Sequence, residues 1–122
     1  MYKFPFCEIN FPSNLVCVIQ FYEGIDVDEE KANQALMTIK EHSDEKLFLV
    51  FDKCNSYSYQ VGALQLLCNK KMFAKVYNVI ESPRQFCEKI LDLEMIICDR
   101  KIENAPSIEH VLSTISKAQI TS

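Results

Sequence analysis

The sequence predicts an α/β domain: a mixed, mostly parallel sheet of five strands with about four helices, in the order ββαβαβαβα. Three observations carry this. "LFLVF", residues 47–51, is an apolar run flanked by charge. It is too short for a helix and uniform enough for a strand covered on both faces. Downstream, apolar runs alternate with stretches of helical spacing, the pattern of parallel strands joined by helices. Upstream, two strand-like segments are joined by a short turn, which adds one antiparallel edge.

The elements follow in order. "YKFPFCEI" alternates Tyr2, Phe4 and Phe6 with Lys3, Pro5 and Cys7, the period of a half-buried strand. Pro5 cannot donate to a ladder, so this strand belongs at an edge. "FPSN" supplies turn formers in Pro12 and Asn14, and the β-branched "LVCVIQF" is the second strand. In "DVDEEKANQALMTIKEH" the residues Ala32, Ala35, Leu36 and Ile39 form one apolar stripe. Asp28, Glu29 and Glu30 open that helix and Lys40 and His42 close it, all complementing its dipole. After the central run comes a polar bend, 52–59. A helix then runs from about Gln60 to Lys70 with Val61, Leu64, Leu67 and Cys68 on one face. "FAKVYNVI" is the next strand. "SPRQ", 82–85, reads as a capping box, opening a helix whose buried stripe is Phe86, Ile90 and Leu93. "EMIIC", 94–98, is the fifth strand, "DRKIENAP" a polar loop, and Ser107 starts a last helix with Ile108, Val111, Leu112 and Ile115 inward. "AQITS" is a frayed tail.

Bulk properties narrow the function. A chain of 122 residues makes one domain, 1–122. Its length can bury a sizeable core without disulfides or metal, and 48% hydrophobic and 25% charged residues are the composition of a soluble globular protein. A net charge of −4 argues against nucleic acid, whose binding needs a basic surface, and against anionic membranes. No apolar run approaches the ~18 residues of a membrane span. The N-terminal "MYKFPFCEINF" lacks the apolar core of a signal peptide. The expectation is a cytoplasmic protein without membrane insertion. Five of the six cysteines, all but Cys54, sit in apolar segments and read as reduced core thiols. Neither His42 nor His110 lies at ligand spacing from a cysteine, so no zinc site is expected.

The order of elements resembles the STAS fold of anti-sigma-factor antagonists, and in particular small bacterial STAS-like proteins of unknown function. "LFLVFD" is similar to that family's central strand, which ends in an aspartate. "KVYNVIESPRQFCEKIL" is similar to its next strand and helix, and "PSIEHVLSTI" to its closing segment. With the hairpin and first helix, the resemblance spans most of the chain. It implies a regulatory, protein-binding role. In switch-type members an Asp-Ser-Ser-Gly stretch opens the helix after the central strand, and its serine is phosphorylated. Aligning Gly62 with that glycine puts Gln60 and Val61 at the two serine positions. Ser58 lies near them and is the candidate phosphorylation position. A phosphate there would add about −1.5 to −2 charges beside a helix N-terminus; otherwise Ser58 simply caps that helix.

Candidates for chemistry are few. Asp52 ends a strand at the edge where open α/β sheets place ligands, yet a lone carboxylate more often caps a loop. Cys54 with His42 or His110 would make a nucleophile and base only if folding joined them. Glu29–Glu30 and Asp44–Glu45 read as solvated charge. Phosphate-cradling glycines and hydrolase motifs are missing. Tyr22, Tyr57, Tyr59, Phe73 and Tyr77 suit a protein interface or a pocket wall. The expectation is therefore a non-enzymatic protein-interaction module without catalytic residues, cofactor or metal. Its contact surface is Asp52, Asn55, Tyr57, Ser58, Tyr59 and Gln60 with the helix that follows. The alternative is a pocket for a small apolar or lipid-like ligand between helices and sheet, and third an enzyme of unrecognised type. An exposed edge strand and the tyrosines allow a homodimer.

Overall fold

Pro5 divides the first apolar alternation in two. The computed structural model describes residues 1–81 and 88–121. In it, β1 (Tyr2–Lys3) and β2 (Cys7–Ser13) form an antiparallel pair closed over residues 4–6. Phe4 N–H donates to Cys7 O at 2.8 Å across the turn. Pro5 thus sits at the turn, where its missing donor costs nothing. "FPS" is not the turn the sequence suggested but the end of β2, irregularly paired with β3 (Val16–Phe21) between Asn10 and Ser13. The sheet therefore has six strands, one more than expected.

A short β4 (Asp26–Val27) precedes α1 (Glu29–His42), so the helix starts three residues later than the pattern suggested. Asp28 caps it: Oδ1 accepts from Lys31 N–H at 2.9 Å, and that bond, followed by the Lys31 side chain, holds the Asp28 carboxyl below its ordinary range. Ala32, Ala35, Leu36 and Ile39 are all buried. The central strand is β5 (Leu47–Asp52). After it come β6 (Ser58–Tyr59), α2 (Val61–Leu67) and β7 (Phe73–Val79). Leu64, Leu67 and Cys68 face inward as expected, but Val61 does not.

The largest correction falls on the last third. "EMIIC" is not a strand. It completes α3 (Glu88–Cys98), where Leu91, Glu94 and Cys98 recur at i, i+3 and i+7 and are buried. Leu93, expected in the buried stripe, faces solvent. "SPRQ", Phe86, Cys87 and the side chain of Ile90 lie outside the described residues. The strand is instead β8 (Ile102–Ala105), inside the expected loop, with only Ile102 and Ala105 buried. An edge strand needs few apolar residues, so its charges hid it. Finally α4 (Ile108–Thr121) continues through the expected tail, with the Ser107 hydroxyl accepting from His110 N–H at 3.1 Å.

The sheet runs β1-β2-β3-β5-β7-β8, antiparallel over its first two pairs and parallel over the other three. Each crossover joins neighbouring strands and the order never reverses. Connections of one hand then place every crossover helix on one face. Accordingly α1, α2 and α3 pack on the face bearing Ile19, Leu49, Phe51 and Val76. The opposite face, with Val18, Val50, Tyr77 and Val79, is covered by Val111 and Ile115 of α4. β5 is thus enclosed from both sides, as its composition suggested.

A second, two-stranded sheet pairs β4 with β6 in parallel. It depends on Gly24, whose φ of 78° lies in the left-handed region and whose N–H donates to Ser56 O at 2.8 Å. A Cβ at Gly24 would meet nothing within 4 Å, so Gly24→Ala isolates the backbone cost. It is expected to destabilise by about 1–2 kcal/mol, read as a lower urea midpoint at unchanged slope.

Candidate functional site

The bend after β5 is fastened along one side to residues 20–27. Asp52 Oδ1 accepts from Cys54 N–H at 3.1 Å, turning the chain. Asn55 Nδ2 donates to Phe21 O at 3.0 Å, and Ser56 N–H to Glu23 Oε2 at 2.6 Å. Gln20 Nε2 contacts Cys54 Sγ at 2.6 Å. Ser58 does not cap α2. Its hydroxyl donates to Asp26 Oδ1 at 2.9 Å, while Gln60 Nε2 donates to Asp26 Oδ2 at 3.2 Å. Gln60 is the capping residue and makes no side-chain capping bond. The acidic partner matters: a phosphate on Ser58 would meet a carboxylate, not an unopposed helix dipole.

Strand alternation sorts the bend into two sets. Cys54, Ser56, Ser58 and Gln60 are exposed, and Val61 continues them. Lys53, Asn55, Tyr57 and Tyr59 are turned inward and half-buried. The sites named from sequence therefore separate. Ser58 and Gln60 stand on the surface. Tyr57 and Tyr59 direct their hydroxyls into the molecule, Asn55 is spent on the backbone of β3, and Asp52 turns the loop.

The inward set meets two groups that sequence reasoning missed. Lys53 Nζ donates to Glu94 Oε1 of α3 at 2.7 Å and lies 3.5 Å from the Tyr59 hydroxyl. The hydroxyls of Tyr57 and Tyr59 are 2.8 Å apart. The same ammonium sits 5.6, 5.1 and 5.0 Å from the ring centres of Phe51, Tyr57 and Tyr59, a three-ring cation–π enclosure. Asn78 of β7 donates from Nδ2 to Glu94 Oε2 at 3.3 Å. Asn78 is 1% exposed, and among the described residues its Oδ1 has no hydrogen-bond partner. The cluster lies at the carboxyl ends of β5 and β7, under α3. The one signal for it in the sequence is Glu94 itself, an acid at helical spacing between the apolar Leu91 and Cys98.

Lys53, Tyr57 and Tyr59 of this cluster hold their protons firmly. Burial works to lower the Lys53 pKa, but Tyr57 and the Glu94 carboxylate outweigh it and hold the ammonium above the ordinary lysine value. Burial pushes Tyr57 up, against Lys53 and Tyr59. It pushes Tyr59 well up, reinforced by Tyr57 and Glu94. Elsewhere burial, helped by Glu8, pushes the Cys7 thiol up to about 12. Each of these groups holds its proton more tightly folded than unfolded. Their stabilisation is complete below the unfolded pKa and is lost as pH rises through the folded one. Stability should thus be flat toward neutral pH and fall from about pH 9, first through Cys7 and then through the tyrosines and Lys53. Each titrating group contributes a slope of about 1.4 kcal/mol per pH unit. Urea midpoints from pH 8 to 11 test this; a constant midpoint would contradict it.

The remaining candidates lie apart. His42 stacks on Phe11 with ring centres 3.6 Å apart, and its Nδ1 lies 3.3 Å from the Tyr2 hydroxyl, pinning the N-terminal hairpin to α1. His110 is exposed on α4. Tyr22 donates to Glu8 at 3.3 Å, and Tyr77 faces α4, so the aromatics do not share one wall. Among the described residues no cluster of three or more His, Cys, Asp or Glu is arranged to hold a metal ion. No described helix is long and apolar enough to cross a membrane.

Fold and site together define an α/β domain with a braced surface bend over an internal lysine–glutamate–tyrosine cluster. Compared with known proteins, the chain matches no family model, no curated protein and no solved structure.

Proposed function

We propose that this protein is a non-enzymatic regulatory module of the STAS-like type, acting in the cytoplasm by binding another protein. Its contact surface is the outward side of the bend, Ser56, Ser58 and Gln60, continued by Val61 at the start of α2. The carrying observation is the way the bend is built. Separate hydrogen bonds to Phe21, Glu23, Gly24 and Asp26 fix it, and Ser56, Ser58, Gln60 and Val61 stand exposed on the braced loop. A braced loop on a rigid scaffold is a binding device, and little ordering entropy remains to be lost on association. Val61, 56% exposed, adds an apolar anchor to a polar rim. A binding role is also supported by the inner cluster. Its tyrosines and lysine hold their protons more firmly than usual, the reverse of what a general base or nucleophile requires.

Ser58 remains the switch position of this reading. A phosphate would face Asp26 and part β6 from β4, changing the surface by repulsion. Affinity capture is the test, comparing wild type with Gln60→Ala and Val61→Asp, and with Met37→Asp on exposed α1 as control. Loss of one specific partner by tenfold or more, about 1.4 kcal/mol, is expected for the bend variants alone. Identical partner sets in all four would remove this reading. Tyr57→Ala and Tyr59→Ala are unsuitable, since both would disturb the interior.

One observation favours the second reading, a small ligand between helices and sheet. Among the described residues Asn78 Oδ1 has no donor, and it lies beside a charged pair. A molecule there would carry a hydroxyl or amide donor on its apolar body. Native mass spectrometry of freshly purified protein would show it as added mass, reduced in Asn78→Leu.

A further inference from the structure

The sequence places six cysteines in 122 residues, and the fold brings two of them together where α2 meets α3. Cys68 closes α2, and its N–H donates to Leu64 O at 3.0 Å. Cys98, the last residue of α3, points its Sγ at that same carbonyl from 3.9 Å. The Cys98 thiol and the Cys68 backbone N–H therefore meet at one carbonyl, which brings the two cysteines together where the helices end. Arg100 braces the junction. Its Nη1 donates to Cys68 O at 3.3 Å and to Phe73 O at 3.1 Å, and its Nη2 to Ala74 O at 3.1 Å. Both cysteines are unbridged, Cys68 3% and Cys98 8% exposed.

We propose that Cys68 and Cys98 form an oxidisable pair, a modification site that closes to an intramolecular disulfide with hydrogen peroxide as the oxidant class. The two thiols have unequal parts. The neighbouring Cys68 lowers the Cys98 pKa against the effect of burial, with the Arg100 guanidinium assisting and Glu94 opposing. Cys98 is also the more exposed of the two. It is the sulfur that a small peroxide reaches, in a setting of the kind that makes a cysteine reactive.

The reaction balances in two steps. The Cys98 thiolate attacks one peroxide oxygen; an S–O bond forms, the O–O bond breaks, and the departing hydroxide takes the proton Cys98 released and leaves as water. The Cys68 sulfur then attacks the Cys98 sulfenic sulfur; the S–S bond forms, the S–O bond breaks, and the hydroxide leaves as water with the Cys68 proton. Two thiols are oxidised and one peroxide is reduced to two waters. The product ties the end of α2 to the end of α3.

Peptide mapping tests this on the full chain. Trypsin should release Cys68 in peptide 54–70 and Cys98 in peptide 90–100. Cys54 shares the first peptide, so Cys54→Ser, an exposed change, removes the ambiguity. After treatment of folded Cys54→Ser protein with stoichiometric hydrogen peroxide, alkylation and digestion, these two peptides should appear joined. The linked species should weigh two hydrogens less than their sum and separate after dithiothreitol. Bridging of either cysteine to a different one would overturn the proposal. So would sulfinic acid at Cys98 without a bridge, or both thiols alkylated after peroxide. The wild-type map, sequenced by fragmentation, gives the same answer should the variant fold poorly.

Discussion

Replacing Glu94 with alanine is expected to cost about 3–5 kcal/mol of folding stability. It would be among the most damaging single changes in this chain. The cost is not the value of the ion pair. Lys53 and Glu94 are both largely withdrawn from water, with side chains 13% and 7% exposed, and their attraction roughly offsets their lost hydration. Removing Glu94 leaves that loss on Lys53 with no carboxylate to answer it, and Asn78 Nδ2 loses its acceptor as well. The three surrounding rings return part of the deficit by cation–π attraction, which favours the lower end of the range. A double variant, Lys53→Met with Glu94→Leu, removes both charges and keeps much of the volume. It should lie within about 1–2 kcal/mol of wild type. Equilibrium urea unfolding of the two singles and the double closes the cycle. The pH response supplies an independent sign. In Glu94→Ala burial dominates and the Lys53 pKa falls below its unfolded value. Stability then rises with pH across the interval between the two, opposite to the alkaline decline of wild type. A single-variant cost below about 1 kcal/mol would mean that the pair behaves as a surface pair.

The contrast between what could and could not be read in advance follows from which interactions are local. The central strand was legible because enclosure on both faces demands an unbroken apolar run, and 47–51 is one. The α1 stripe and its charged ends were legible because helical periodicity and the dipole act within a few residues. "EMIIC" misled because a five-residue apolar run suits a buried strand or the end of a helix equally well. Only the partner surface decides, and Leu91, Glu94 and Cys98 pack as a helix face. β8 was missed for the complementary reason. At a sheet edge, pairing with Val76 to Val79 of β7 supplies what composition does not. The candidate site was half legible. The bend and its exposed serines were apparent, while the direction of Tyr57 and Tyr59 was not, since it depends on β6 pairing with β4. The Lys53–Glu94 pair spans 41 residues of sequence, and no local pattern announces so distant a contact.

Phe51→Ala is the second change expected to cost about 3–5 kcal/mol, and its mechanism differs from that of Glu94→Ala. Phe51 is one of the largest fully buried side chains in the protein and lies on the face covered by the crossover helices. Truncation loses the transfer energy of the ring and leaves a cavity that the rigid centre of a six-stranded sheet cannot close. The ring also does something local. It lies edge-on to Tyr59, with centres 6.0 Å apart, and forms one wall around the Lys53 ammonium. Phe51→Leu separates the two contributions. It keeps most of the apolar volume and loses the π face, so it should cost markedly less than alanine while still loosening the cluster. Val50→Ala, the neighbour on the opposite face against α4, controls for depth in the sheet without touching the cluster. Amide hydrogen exchange then reads the difference. Phe51→Leu should speed exchange in the bend around Lys53 and Tyr59 beyond the change in global stability, whereas Val50→Ala should speed only what global unfolding exposes. Should both variants accelerate the bend equally, the cluster beneath it would be a passive extension of the core, and the bend would owe its order to the contacts with residues 21–26 alone.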